Sequence, residues 1–296
     1  TVQSFSGTSM GPGWSLHAVS PSPGAAEGVQ GALDLVVAQM SQWEAASDLS
    51  GFNRGAAGVW HEVPPEFAHV VEAALQIARA SDGAFNPGLG HLTEAWGFGS
   101  AGPVEAVPEQ AATPDRTIDF DPATRRIRRG EGAALDLSGI AKCYGVDLAA
   151  EWLLANGIRH FLLEAGGELR GEGIRPDGQP WWVDVEMPPT SSIAPWRIAL
   201  HDLSVATSGN YRRGFSADGK HYSHSFDPTT GRPIVNGVAS ATVLHRDCMM
   251  ADGWATALTV LGPEAAIALA DVQGLAACVV AGDREHVSRA WRAMLD

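Results

Sequence analysis

Hydrophobic residues recur at helical spacing in six stretches of the chain. The first spans residues 24–47, and the second, residues 64–80, begins at the double proline Pro64-Pro65. The same spacing predicts helices at residues 140–154, 249–261, 263–271 and 286–294. Each of these segments has an apolar stripe that must pack against another element, so the chain has the material for a helix-covered core.

Shorter apolar runs between these stretches predict strands, after a strand-like opening that precedes residue 24. The predicted strands are residues 133–137, 161–164, 181–186, 196–200, 205–208, 237–244 and 276–281. Residues 117–127 resemble a hairpin that turns at Asp121-Pro122. Residues 49–55 and 81–90 have turn composition, and the Pro-, Gly- and Ala-rich residues 99–113 predict a surface excursion.

The order of these elements favours an α+β fold with mixed sheets and packed helices, arranged as two interleaved lobes. Strands and helices alternate, but hairpins intervene, which argues against a doubly wound sheet. The chain shows no internal repeat.

Composition narrows the class of protein further. The chain of 296 residues is 45% hydrophobic and 18% charged, which is typical of a globular protein. Its net charge is −14, and its basic residues form no stripe, so nucleic-acid binding is not expected. No apolar run reaches the ~20 residues of a membrane span. We expect a periplasmic or membrane-anchored protein if a leader precedes Thr1, and a cytoplasmic one otherwise.

The three cysteines, Cys143, Cys248 and Cys278, match no metal-binding or disulfide pattern. We interpret them as small buried apolar residues.

One segment has the composition of an anion-binding site, and a second could bring hydroxyls and backbone amides near a histidine. Residues 136–142 place Asp136 after a predicted strand and Lys142 on the first turn of the next helix, where free N–H groups favour an anion. A helix cap formed by Asp136 and Ser138 explains the same residues. Residues 207–211 collect hydroxyls before His224, and a capped turn explains them equally well. The glycine pair in residues 164–168 supports no catalytic assignment.

His224 and the pair Asp252 and Thr256 are the strongest candidates for chemistry. His224 follows Tyr222 and Ser223 in a predicted loop, and imidazole suits a general base near neutral pH, although a lone histidine is more often structural. Asp252 and Thr256 are four residues apart on one helix face, where two oxygen ligands suit Mg²⁺. The alternative is a capping role for Asp252 and interior packing for Thr256.

Taken in order, eight segments resemble the ApbE family, the FAD:protein FMN transferases. They are GTSMG (7–11), SGFNR (50–54), GAFN (83–86), DLSGIAKCY (136–144), AGG (165–167), ATSGNY (206–211), HSFDPTTG (224–231) and DGWAT (252–256). The resemblance implies one domain over residues 1–296, with FAD extended across a cleft between the two lobes and its pyrophosphate on Mg²⁺.

The resemblance also assigns roles to individual residues. It assigns FAD contacts to Met10, Trp43, Ala84, Phe85, Asn86, Asp136, Lys142 and Ser225. It assigns the metal to the carbonyl of Gly139 and the side chains of Asp252 and Thr256, and it makes His224 the catalytic histidine. Four positions depart from the family pattern: Pro12, Asn86, Cys143 and Ser225.

The implied reaction transfers the FMN moiety of FAD to a Thr or Ser hydroxyl of an acceptor flavoprotein and releases AMP. A subunit of a redox pump or membrane reductase would be such an acceptor. Two alternatives stay open: an FAD pyrophosphatase that yields FMN and AMP, and a flavin-binding protein without catalysis.

Overall fold

The computed structural model describes residues 1–11, 13–108, 117–189, 191–211, 214–217 and 219–295. Pro12 and part of the predicted excursion at residues 99–113 lie outside these ranges. The helices are α1 (Ala25–Met40), α2 (Asp48–Arg54), α3 (Pro65–Ala80), α4 (Gly90–Ala95), α5 (Ala141–Ala155), α6 (Cys248–Leu261), α7 (Pro263–Gln273) and α8 (Arg289–Ala293). No helix in the described part of the chain combines the length and the apolarity needed to cross a bilayer.

The strands are mostly short and pair in antiparallel fashion. They are β1 (Val2–Thr8), β2 (Gly13–Val19), β3 (His61–Glu62), β4 (Ile118–Asp121), β5 (Arg126–Arg129), β6 (Phe161–Ala165), β7 (Glu168–Glu172), β8 (Trp181–Asp184), β9 (Arg197–Leu200), β10 (Leu203–Gly209), β11 (Gly214–Ala217), β12 (Lys220–Ser223), β13 (Phe226–Asp227), β14 (Arg232–Pro233), β15 (Val238–His245), β16 (Ala276–Ala281) and β17 (Arg284–Val287).

An antiparallel sheet organises the molecule. Over the described residues it has eight strands in the order β1-β2-β6-β7-β10-β15-β16-β17. The smaller pairings are β3-β5-β4, β8-β9, β11-β12 and β13-β14. With helices packed against this sheet, the architecture is α+β, as predicted from the sequence.

Both faces of the large sheet are buried. Ala277 and Val279 of β16 face the core that the sheet shares with α1, α5 and α6, while Cys278 and Val280 face a second apolar cluster under β8, β9 and α8. Because side chains alternate along a strand, a strand covered on both sides reads as a continuous apolar run, as β16 does.

One helix prediction was wrong in its end, and one turn prediction was wrong in type. The predicted helix 24–47 ends at Met40, so Trp43 lies on the following loop. Residues 49–55, interpreted as a turn, are mostly helical in α2. The Ser47 hydroxyl accepts a hydrogen bond from the N–H of Ser50 at 3.0 Å, and Leu49 and Phe52 are buried. The side-chain N-cap and the apolar contacts stabilise this short helix, although its residues have the composition of a turn.

The predicted strand 133–137 and the predicted helix 286–294 also differ from the structure. Residues 133–137 form only an isolated bridge, between Ala134 and Leu89. The side chain of Asn53 takes the place of a strand partner, since its Nδ2 donates to Leu135 O at 2.8 Å and its Oδ1 accepts from Leu135 N at 2.7 Å. Residues 284–287 extend the large sheet as β17, and helix α8 begins only at Arg289.

Candidate active site

The cleft beside the α5–α6 pair contains every residue to which the sequence analysis assigned a role. Its volume is about 780 Å³, and its described lining includes Met10, Trp43, Ala84, Phe85, Asn86, Asp136, Gly139, Lys142, His224, Ser225, Asp252 and Thr256. These residues come from positions up to 246 residues apart in the chain, as the numbers of Met10 and Thr256 show. A cleft of this size and mixed chemistry is typical of a site for an extended small molecule.

Three residues with oxygen donors line one corner of the cleft, where the chain entering α5 meets α6. A Cβ atom added to Gly139 would lie 2.8 Å from Thr256 Oγ1, so the Gly139 backbone lies directly against that hydroxyl. Asp252 is one helical turn before Thr256 and is buried. Because α6 begins at Cys248, Asp252 lies inside the helix, and the alternative in which it caps the helix is wrong. We name Gly139, Asp252 and Thr256 the oxygen corner.

A carbonyl, a carboxylate and a hydroxyl suit a hard cation. Among the described residues, no group of three or more His, Cys, Asp or Glu side chains gathers as a metal site. Mg²⁺ needs no such group, because it is commonly held by one or two protein carboxylates together with substrate phosphates and water. The oxygen corner therefore fits Mg²⁺ by the chemistry of its donors.

Lys142 brings a positive charge to the cleft. Its Nζ forms an ion pair with the buried carboxylate of Glu168 and donates to Gly166 O at 3.2 Å. Burial alone would lower the pKa of Lys142, but the carboxylates of Glu168 and Asp252 outweigh it and raise this pKa. Glu168 lines the cleft but was not predicted as a site residue, although the Gly166-Gly167 turn that precedes it was noted.

Asp136 is held by hydrogen bonds from two elements. Its Oδ1 accepts from the N–H and the hydroxyl of Ser138, at 2.9 and 2.6 Å, and its Oδ2 accepts from Thr93 Oγ1 at 2.7 Å. Helix α5 begins at Ala141, after the N-cap residue Ile140, so Asp136 does not cap it. Thr93 belongs to α4, which the sequence pattern did not predict, and no sequence signal identified it.

His224 is half-buried between β12 and β13, next to a cluster of aromatic rings. Its ring centroid lies 6.2 Å from that of Phe98, and Phe98 packs edge-on to Phe226 at 6.1 Å. After Phe226, the Asp227 carboxylate accepts from Thr229 N at 2.8 Å and from Thr230 Oγ1 at 3.1 Å, which closes the turn. The rings and the turn together restrict where the imidazole can lie.

The capped-turn interpretation of residues 207–211 is wrong for the first three residues, while Asn210 and Tyr211 do form a turn after β10. Thr207, Ser208 and Gly209 lie on β10, and the Thr207 hydroxyl is 2.9 Å from the hydroxyl of Thr242 on β15. All three residues line the cleft together with His224. The strand therefore forms part of the wall of the cleft that contains the histidine.

The remaining candidates for FAD contacts lie on loops around the cleft. Met10 has a φ of 57°, in the left-handed region that few non-glycine residues occupy. Ala84 and Phe85 are buried, and Asn86 Oδ1 accepts from Gly88 N at 2.8 Å. Trp43 keeps 51% of its surface exposed at the rim, which leaves its indole accessible to a ligand.

Comparisons with known proteins give one consistent result. The sequence profile of the ApbE family matches residues 10–279. The chain is 35% identical over 277 residues to the FAD:protein FMN transferase of Vibrio cholerae, covering 89% of this chain and 82% of that protein. It is 33% identical to the enzyme of the same name from Haemophilus influenzae, covering 86% of this chain and 77% of that one.

Solved structures agree with these sequence comparisons. The apo crystal structure of the Pseudomonas stutzeri flavinyl transferase ApbE superposes with a TM-score of 0.90 and 34% identity, covering 99% of this chain and 96% of that one. The flavin transferase ApbE from Vibrio cholerae superposes with a TM-score of 0.89 and 32% identity, covering 99% of both chains. On sequence and fold together, the chain described here belongs to the ApbE family.

Proposed function

We propose that this chain is an FAD:protein FMN transferase that depends on Mg²⁺. The observation that supports this proposal best is that one cleft contains both His224 and the oxygen corner of Gly139, Asp252 and Thr256. A general base and a metal site facing one ligand are what transfer of a phosphoryl group to a hydroxyl requires. The names of the relatives supply the substrate, FAD, and the class of acceptor, a protein.

The oxygen corner would hold Mg²⁺ through the Gly139 carbonyl, the Asp252 carboxylate and the Thr256 hydroxyl. When bound, Mg²⁺ would offset the negative charge on the pyrophosphate of FAD. Lys142 adds a second positive charge on the same side of the cleft, and Glu168 keeps its ammonium group in place.

His224 would act on the hydroxyl of the acceptor. As the Thr or Ser oxygen of the acceptor forms a bond to the FMN-side phosphorus, His224 accepts the hydroxyl proton. The bond from that phosphorus to the bridging oxygen breaks, and AMP leaves with the electron pair. The product is an acceptor protein that carries FMN through a phosphoester bond.

Incubation of the purified protein with FAD and Mg²⁺, with and without a candidate acceptor protein, tests this proposal. Flavin fluorescence on the acceptor band after denaturing electrophoresis, together with AMP in the filtrate, is the expected result. AMP release that does not need the acceptor would indicate a pyrophosphatase instead. If the protein binds FAD but forms neither labelled acceptor nor AMP, even with acceptors that another member of the family labels, catalysis is contradicted.

A further inference from the structure

Three charged side chains are buried together behind the cleft. Arg170 Nη1 donates to Asp147 Oδ1 at 2.6 Å, while its Nε and Nη2 donate to Glu172 Oε1 at 2.8 and 2.6 Å. All three residues are less than 9% exposed, and none of them is among the described residues that line the cleft. Burial of charged groups costs free energy even when the charges are paired. A buried ion pair therefore adds little to the stability of the fold, and stability alone does not explain this network.

Asp147 also binds the first turn of α6. Its Oδ1 accepts from Cys248 N at 2.9 Å, and its Oδ2 accepts from Met249 N at 2.8 Å. The N-cap residue of α6, Asp247, makes no side-chain capping bond within the described chain. A carboxylate from the neighbouring helix α5 thus satisfies these two N–H groups and complements the positive end of the α6 dipole.

The oxygen corner lies at a second contact between these two parts of the chain, where the residues just before α5 meet the C-terminal half of α6. Asp147 meets α6 at residues 248 and 249, while Gly139, just before α5, meets Thr256. The order of these contacts shows that α5 and α6 run antiparallel. The two contacts are about 10 Å apart along α6, at a rise of about 1.5 Å per residue. Because a helix this short moves as a rigid rod, a shift at its first turn carries Asp252 and Thr256 with it.

The network also reaches the strand that positions Lys142. Arg170 lies on β7, two residues after Glu168, whose carboxylate pairs with Lys142 Nζ. Burial alone would lower the pKa of Arg170, but the carboxylates of Asp147 and Glu172 outweigh it, so this pKa is raised and the cation persists. One set of ionic hydrogen bonds therefore connects α5, α6 and β7, the elements that supply Lys142, Asp252, Thr256 and Glu168.

We propose that Asp147 is a positioning residue for the metal site, which holds the first turn of α6 in register with α5 so that Asp252 and Thr256 face the Gly139 carbonyl. This inference rests on the proposed function, because the oxygen corner is its metal site. Asp147 touches neither FAD nor metal in this arrangement and acts only through the helix.

Magnesium affinity of the FAD-loaded protein, measured by calorimetry in wild type and Asp147→Asn, tests the proposal. The variant keeps the Arg170–Glu172 pair, so no buried charge is left alone. We expect Mg²⁺ affinity to fall by about tenfold, the lower end of what loss of an outer supporting contact costs a metal site. FAD affinity in EDTA, followed by flavin fluorescence, should stay within twofold of wild type, roughly 0.4 kcal/mol in binding free energy.

Glu172→Gln is the matched control, because it removes the charge from the other half of the network and leaves both contacts from Asp147 to α6 intact. We expect it to lower the melting temperature without changing Mg²⁺ affinity. If wild type binds Mg²⁺ and Asp147→Asn binds it with the same affinity, the positioning role of Asp147 is overturned and the proposed metal site is not. Failure of the wild-type FAD complex to bind Mg²⁺ would overturn the proposed metal site as well.

A second pair of variants decides the question if Asp147→Asn does not fold. Cys248→Pro removes one N–H that Asp147 accepts, and Cys248→Ala removes the same thiol but keeps that N–H. The φ and ψ of proline suit a first helical position, and Asp247, with φ −94° and ψ 126°, already has the conformation preferred before proline. The ring Cδ takes the place of the N–H and therefore also displaces the Asp147 carboxylate from the first turn of α6. Weaker Mg²⁺ binding by the proline variant than by the alanine variant supports the proposal, and equal binding overturns it.

Discussion

At the scale of single residues, His224 is distinguished from the other histidines nearby by what surrounds it. It lines the cleft with Ser225, and the ring of Phe98 packs against it. His221, three residues earlier on β12, is exposed and is not among the described residues of the cleft. A comparison of variants at His224 and His221 can therefore distinguish loss of proton transfer from a general disturbance of the loop.

We expect His224→Ala to abolish labelling of the acceptor while FAD still binds, because loss of a general base costs about 10²- to 10⁴-fold in rate. Labelling is measured by in-gel flavin fluorescence and FAD binding by fluorescence quenching. His221→Ala, the control, should label the acceptor at the wild-type rate. Undiminished labelling by His224→Ala would remove the histidine from the proposed mechanism.

Asp252 supplies the carboxylate of the oxygen corner, so its loss should remove the response to Mg²⁺. We expect Asp252→Ala to show the same low labelling rate in EDTA and in a titration with Mg²⁺, whereas wild type is activated by the metal. Asp247→Ala, which removes an exposed carboxylate at the start of the same helix, should retain the wild-type titration. Full wild-type activity in EDTA would contradict a metal site at this position.

At the scale of elements, the contact between α1 and α5 is close enough to require glycine. A Cβ atom at Gly28 would overlap the indole ring of Trp152 on α5. Helix α1 continues to Val36, Val37 and Met40, which line the cleft, so its packing on α5 sets one wall of the site. Two opposing effects therefore act on any side chain placed at position 28.

Gly28→Ala should destabilise the protein. Alanine gains about 1 kcal/mol in helix propensity, but overpacking against a partly buried indole costs about 1–3 kcal/mol. Gly31→Ala is the matched control on the same helix, because apart from its chain neighbours and the backbone of its own helix no described atom lies within 4 Å of the added Cβ. It should stabilise the protein by about 0.5–1 kcal/mol. Urea unfolding measures both changes, and equal stabilisation by the two variants would refute the close contact.

Two strand predictions show what local sequence patterns can and cannot predict. The ends of β16 were predicted to the residue, because an apolar run bounded by turns is visible in the sequence. Residues 133–137 look like a strand by the same rule, yet only Ala134 forms a bridge, with Leu89, and both backbone groups of Leu135 bond to the side chain of Asn53, 82 residues earlier. No local pattern reports a hydrogen bond of that sequence separation, so the prediction was wrong.

At the scale of the whole molecule, the large sheet buries apolar surface on both sides, and all three cysteines are buried in it or in the helices that cover it. Burial raises the pKa of Cys278 to about 12 and that of Cys248 to about 11. In the unfolded chain the pKa of a thiol is about 8.5. Between these values the folded protein holds more protons than the unfolded chain, so the free energy of unfolding must fall as pH rises.

Unfolding free energy measured from pH 8 to pH 10.5 should therefore fall less steeply in Cys278→Ala than in wild type. One thiol contributes up to about 1.4 kcal/mol per pH unit in this range. The cost of the shortened side chain is the same at every pH, so it does not alter the slope. Parallel curves for the two proteins would show that Cys278 titrates alike in the folded and unfolded chains.

The fold class, the family and the candidate residues of the cleft could all be predicted from the amino-acid sequence. These follow from local patterns: apolar periodicity identifies elements, and eight short segments in order identify the family. That the chain forms a single domain, and that the named residues have the proposed roles, stay predictions. Thr93 and Glu168 were missed because each acts through a partner distant in sequence, Asp136 and Lys142 respectively.

How these residues come into contact is visible only in the folded chain. Gly139 contacts Thr256, and Asp147 accepts hydrogen bonds from Cys248 and Met249. Each of these contacts joins segments about a hundred residues apart in the chain. Periodicity along a helix shows which face is buried, but not which partner covers it or in what register. Register is set by packing and by buried hydrogen bonds, which appear only when the chain has folded.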